Sequence, residues 1–142
     1  MTTQTATMDS RPANRGRSIG AVLLGLVVVV ALSMGTDHVL HVTGVYPPYG
    51  VVMEGTGLYL LALGYRVVFQ IFGCYLTARF APRNPMKHAW IGGFIGLGLG
   101  TLGAILSIVA DMGPSWYPIV LALSALPCAW IGGTLYSRRS GA

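Results

Sequence analysis

The sequence predicts an all-α fold: a membrane-spanning, up-down four-helix bundle with both termini cytoplasmic. Three observations carry that expectation. Four apolar stretches are each long enough to cross a bilayer, which takes about 20 helical residues. Only nine Lys or Arg and four Asp or Glu occur in 142 residues, so 9% of the chain is charged and 54% is hydrophobic. An ordinary soluble domain carries about 25% charged residues. The basic residues also fall almost wholly on one side of the predicted spans. A soluble enzyme, a nucleic-acid binder and a disordered protein are all disfavoured, and the net charge of +5 becomes a topology signal.

The elements follow in order. Residues 1–17 are polar and basic and are expected to form a disordered cytoplasmic tail. The first span covers about 18–36 and contains Leu23, Leu24 and the run Val27–Val30. Ala31-Leu32-Ser33 resembles a signal-peptide cleavage site, but the apolar run exceeds the usual core of about 7–15 residues, so an uncleaved helix is expected. Pro47 and Pro48 interrupt the first connection. The second span covers about 55–78 and is followed by Pro82 and Pro85; the third covers about 89–110 and is followed by Gly113-Pro114. The fourth covers about 116–136, and residues 138–142 form a second cytoplasmic tail. Residues 18–137 thus make one membrane domain.

Lys and Arg concentrate on the cytoplasmic side of membrane proteins. Arg11, Arg15 and Arg17 precede the first span; Arg79, Arg83 and Lys87 bracket the second connection; Arg138 and Arg139 end the chain. The first and third connections have none. Asp37, Glu54 and Asp111 lie on the opposite side, while Asp9 lies in the tail. Tyr46, Tyr49, Trp116 and Tyr117 mark the outer interface, and Trp90 and Tyr136 the inner one, as aromatic belts do.

Small residues predict the packing seam. Gly92, Gly96, Gly100 and Ala104 recur every four residues in the third span, a glycine-zipper pattern. Ala125, Ala129 and Gly133 match it in the fourth, with Ser124, Cys128 and Gly132 alongside. Such spacing lets helix backbones approach closely in lipid, so spans three and four are expected to pack together. A homodimer seam is the competing use of the same pattern. Gly98-Leu-Gly100-Thr-Leu-Gly103 fits GxGxxG formally, but it sits mid-helix without a preceding strand and is rejected as a nucleotide motif. Pro127 should interrupt the fourth helix by depriving the Leu123 carbonyl of its partner, as a structural kink or, alternatively, a gating hinge.

Arg66 is the exception to the charge pattern. It lies about eleven residues into the second span, roughly 16 Å along a helix, near half of a 30 Å core. A charge there costs about 2.5–3.5 kcal/mol on insertion scales and marks a functional candidate. At 100° per residue, Gly55, Tyr59, Arg66, Gln70, Gly73 and Thr77 fall within about 40° of one line. This polar stripe should face the other helices. In one reading Arg66 snorkels outward to an acid, with Asp37 preferred over Glu54 or Asp111. In the other it lines an anion or headgroup site, or a hydrated gate.

The outer group Asp37, His38, His41, Glu54 and Asp111 is a second candidate, for an ion or a proton. Its spacing matches no specific zinc pattern, and a solvated polar cap on a helix end is the preferred reading. His88 is expected at the cytoplasmic interface, and Cys74 and Cys128 as small packing residues. No catalytic triad, no paired carboxylates at membrane depth and no cofactor motif are evident, so neither an enzyme nor a bound cofactor is expected.

The basic tail, the Asp37-His38 segment, Leu76-Thr77-Ala78-Arg79 and Leu126-Pro127-Cys128-Ala129-Trp130 together resemble small, uncharacterised four-helix bacterial inner-membrane proteins over about residues 17–137. The resemblance implies a fold and a location. Small multidrug transporters differ in having a membrane-embedded Glu in the first helix, which this chain lacks. The leading expectation is a non-enzymatic accessory or interaction protein, with the lipid bilayer and a second copy or another membrane protein as partners and no nucleic acid. The alternative is an oligomeric small transporter or channel with Arg66 lining the pathway.

Overall fold

Large aliphatic side chains lie on the outside of this molecule and small ones inside. In the computed structural model, which describes residues 11–141, the buried set is dominated by Ala21, Ala62, Ala78, Ala89, Ala104, Ala122, Ala125 and Ala129, while Val27, Val30, Leu60, Val68, Leu99, Leu106 and Val109 are exposed. Water would penalise that arrangement, whereas hydrocarbon is as apolar as the side chains it meets, and small residues let the helices close together. The described residues are all-helical outside short connections, and four helices are long and apolar enough to cross a membrane.

The first helix, α1, runs Arg11–Val42; α2 runs Thr56–Phe80 and α3 runs Pro85–Val109. The fourth membrane-length helix, Trp116–Ser140, is divided into α4 (Trp116–Leu123) and α5 (Ala125–Ser140). The break at Ser124 is where proline chemistry puts it. Pro127 has no N–H for the Leu123 carbonyl. Bonding resumes with the Cys128 amide donating to the Ser124 carbonyl at 3.0 Å.

Several helix ends differ from those expected. Helix α1 begins at Arg11 and continues past Thr36 to Val42, because nothing between Gly35 and Val42 breaks a helix; glycine within a span is tolerated. Arg11–Arg17, expected in a tail, are therefore helical, while the rest of that tail, residues 1–10, lies outside the described residues. Helix α3 starts four residues earlier than expected. Pro85, taken as a breaker, occupies its first position, where a missing N–H costs nothing, and Asn84 precedes it in the left-handed region at φ 50°.

Helix α2 is the hub, packing against α1, α3, α4 and α5. Helix α1 leans chiefly on α2, touches α3 much less, and makes no contact with α4 or α5 among the described residues. Three close approaches hold the set together. A Cβ at Gly25 would fall on the Thr77 hydroxyl and lie 2.6 Å from the Gly73 carbonyl oxygen, so α1 crosses α2 at backbone contact. A Cβ at Gly132 would lie 2.5 Å from the Ile71 carbonyl oxygen and 2.8 Å from the Tyr75 amide nitrogen, which joins α5 to α2. A Cβ at Gly93 would lie 2.5 Å from the Ala129 Cβ, and one at Gly100 would lie 3.1 Å from the Ala122 backbone; these join α3 to α4 and α5.

The small-residue seam therefore exists within one chain, with a shifted membership. Gly96 faces Ala125 at 3.6 Å, and Gly133 meets Met86 and Ala89 of α3, but Gly92 turns toward Thr77 of α2. Gly93 takes the tight contact. Gly98 and Gly103, the outer glycines of the rejected nucleotide pattern, face open space.

Candidate functional site

Helix α1 delivers Asp37 one turn before its end, and α2 delivers Tyr65 and Arg66. Arg66 Nη2 donates to Asp37 Oδ2 at 2.5 Å, and the Tyr65 hydroxyl donates to Asp37 Oδ1. The Tyr46 hydroxyl, from the loop after α1, lies 3.4 Å from that of Tyr65. Tyr65 has spent its only proton on Asp37, so Tyr46 is the donor in that pair. Two donors thus meet one carboxylate, one on each oxygen, and Tyr46 backs the second. Burial pushes the Tyr46 phenol above its ordinary pKa.

Asp37 is the acid that adjacency of the first connection to the second span favours as the partner of Arg66. The two side chains are 29% and 24% exposed, so the pair is neither a surface contact nor a dry one. Surface pairs contribute about 0–1 kcal/mol, whereas removing one partner of a buried pair costs about 3–5 kcal/mol. Arg66 Nε is buried without a hydrogen-bond partner, so even this clasp leaves the guanidinium incompletely satisfied.

The rest of the polar stripe faces inward, with separate tasks. The Ser124 hydroxyl donates to the Leu121 carbonyl at 2.6 Å, and the Gln70 amide lies 3.2 Å from its oxygen, at the break between α4 and α5. Thr77 is buried and donates to the Gly73 carbonyl at 3.0 Å, beside the α1 crossing. Tyr59 is buried near the start of α2, donates to the Met53 carbonyl at 3.3 Å, and packs against Trp116 and Tyr117. It also fills the space beside Gly113, whose φ of 132° only glycine adopts freely.

The outer group does not converge. Among the described residues no three His, Cys, Asp or Glu side chains are placed to hold a metal ion, which corrects the five-residue ion site considered from the sequence. Asp37 turns toward Arg66 instead. His41 stacks on Tyr49 with ring centroids 4.0 Å apart and planes 4° from parallel, and meets Tyr46 edge-on at 5.3 Å. Its Nδ1 lies 2.7 Å from the Asp37 carbonyl, which fixes that nitrogen as the protonated one. His38 Nδ1 lies 3.0 Å from the Tyr49 hydroxyl. Glu54 and Asp111 are exposed in their own connections. The histidines therefore organise an aromatic cap over the ion pair.

Tyr65, Tyr46 and Tyr49 complete this site, and sequence reasoning did not assign them to it. Tyr46 and Tyr49 read only as interface markers. Tyr65 carried one usable signal: it adjoins Arg66, and a phenol reaches across the same helix–helix gap as a guanidinium.

Below the ion pair the helices leave a cavity of about 360 Å³. Asp37, Arg66, Gln70 and Ser33 border its polar part, Val29 and Leu121 are among its apolar walls, and Gly92, Gly93, Gly96 and Gly100 of α3 form another wall. Cys74 also borders it, and both Cys74 and Cys128 are free thiols.

Comparison with known proteins gives no match: no family model, no curated protein and no solved structure is similar to this chain. The fold and site themselves define the class, an all-helical protein with four membrane-length helices, a tyrosine-capped ion pair and an internal cavity.

Proposed function

We propose that this chain is a non-enzymatic accessory or interaction protein of the bacterial inner membrane, an up-down four-helix bundle with both termini cytoplasmic. The ion pair is the observation that carries the reading. Both Asp37 oxygens are engaged, by Arg66 and by Tyr65, and Tyr46 backs the second bond. A charge pair closed on itself is suited to locking α1 against α2, which is a structural task in a scaffold. The clustering of Arg15, Arg17, Arg79, Arg83, Lys87, Arg138 and Arg139 at one set of helix ends supports the orientation. Partners on this reading are lipid, further copies of the chain or another membrane protein.

A second reading, a small transporter or channel with Arg66 lining the pathway, draws on one specific observation: Arg66 and Asp37 border the cavity. Planar-bilayer recording separates the two. The purified protein should give no current above that of protein-free lipid, and Arg66→Gln should not alter the trace. A current that Arg66→Gln abolishes or changes in ion selectivity would transfer the assignment to a channel.

A further inference from the structure

We propose that the cavity bordered by α1 and α3 is a binding site for one uncharged amphiphile, a single-chain molecule with a hydroxyl or carbonyl head, admitted sideways from the lipid. This goes beyond the accessory role and does not depend on it.

The shape of the bundle sets the entrance. Helix α1 is held to α2 at two levels, the Gly25–Gly73 crossing and the Asp37–Arg66 pair, but is packed only weakly on α3. Among the residues bordering the cavity, Val30 and Met34 of α1 are 54% and 67% exposed, and Leu99 of α3 is 59% exposed. These three rim a mouth between the two helices, on the side where a bilayer would supply hydrocarbon. The inner end is shut, because Gly25, Thr77 and Gly92 meet there. At about 1.5 Å per residue, the α1 wall from Gly25 to Asp37 spans roughly 18 Å, long enough for an extended alkyl chain.

Polarity sets the kind of head. Asp37 and Arg66 neutralise each other, so a charged head finds no net opposite charge there, although Arg66 Nε remains a donor. Two uncharged groups remain. Ser124 gives its one proton to the Leu121 carbonyl, so one end of the Gln70 amide meets the Ser124 oxygen and the other has no partner among the described residues. The Ser33 hydroxyl has none either, and both residues border the cavity. One free amide end and one hydroxyl suit a neutral head that both donates and accepts. The glycines of α3 give the chain a smooth wall. A cavity of about 360 Å³ falls within the usual range for small-molecule sites, about 300–1,000 Å³.

The test uses the full chain in phosphatidylcholine nanodiscs with a diazirine-bearing long-chain alcohol, photolysed and mapped by peptide mass spectrometry. Label should concentrate on residues 29–34 and 96–100. Monoolein should compete for it about tenfold better than hexadecane, which lacks a head, or oleate, which is charged. Gly96→Leu and, independently, Ser33→Leu should each abolish the concentrated label by filling the cavity from opposite walls. Gln70→Leu should weaken monoolein competition about fivefold and leave hexadecane unchanged. Label spread evenly onto Leu106 and Val109, label that survives both filling variants, or oleate competing as well as monoolein would each overturn the proposal.

Discussion

At the scale of residues, Asp37 matters because it answers two donors from a neighbouring helix at once. Asp37→Asn keeps the shape, removes the charge and leaves Arg66 with an uncompensated cation beside the cavity. The pair is partly open, so the expected cost lies near the low end for buried pairs, about 3 kcal/mol. It should appear as a lower midpoint in thermal unfolding in detergent. In an Arg66→Gln background the same change should cost less than about 1 kcal/mol, since no stranded charge remains. Equal costs in the two backgrounds would show that the ion pair does not couple the helices. Much of this site was legible beforehand: Arg66 stood out as the one basic residue deep in a span, and adjacency of the connections pointed to Asp37. Tyr65 was not legible, because its role appears only when α1 and α2 cross closely enough for a phenol to span the gap. His38 and His41 misled for a related reason. Sequence shows that two imidazoles lie near acids, but the return of the Pro47-Pro48 loop, which brings Tyr49 onto His41, decides what they touch.

At the scale of elements, glycine position within a helix matters more than glycine content. Gly132→Ala pushes a methyl group against the α2 backbone at Ile71 and Tyr75, which cannot yield as a flexible side chain can. It should destabilise the protein by about 1–3 kcal/mol, the usual cost of overpacking. Gly98→Ala adds a methyl group in open space on α3, so its effect should be neutral or stabilising by up to about 1 kcal/mol through helix propensity. Thermal midpoints of the two variants in one detergent give the comparison, and equal losses would contradict the packing described here. The four-residue repeat correctly singled out the seam between α3 and the fourth membrane-length helix. It did not identify Gly25, Gly73 or Gly132 as contact points. Gly25 stands outside any repeat, Gly73 read only as part of the polar stripe and Gly132 only as a neighbour of the seam, and the partner helix gives each its meaning.

At the scale of the molecule, hydropathy carried most of what was legible, because a bilayer constrains span length and polarity so strongly. Helix ends were less legible: polar residues at the ends of α1 look like loop in sequence, although a helix readily extends beyond the hydrocarbon layer. The proposed orientation makes a direct prediction for single-cysteine variants lacking Cys74 and Cys128. In right-side-out vesicles an impermeant maleimide should label a cysteine at Tyr49 and spare those at Arg83 and Ser137. The reverse pattern would invert the topology. The two-point attachment of α1 also has a consequence for biogenesis. Asp37 precedes Arg66 by 29 residues, so synthesis delivers the acid before the base. When α2 leaves the insertion machinery, the counter-charge for its arginine is already waiting on a helix that precedes it. On the proposed membrane reading, the order of the chain thus offsets the arginine's own insertion penalty of about 2.5–3.5 kcal/mol by giving it a partner already in place.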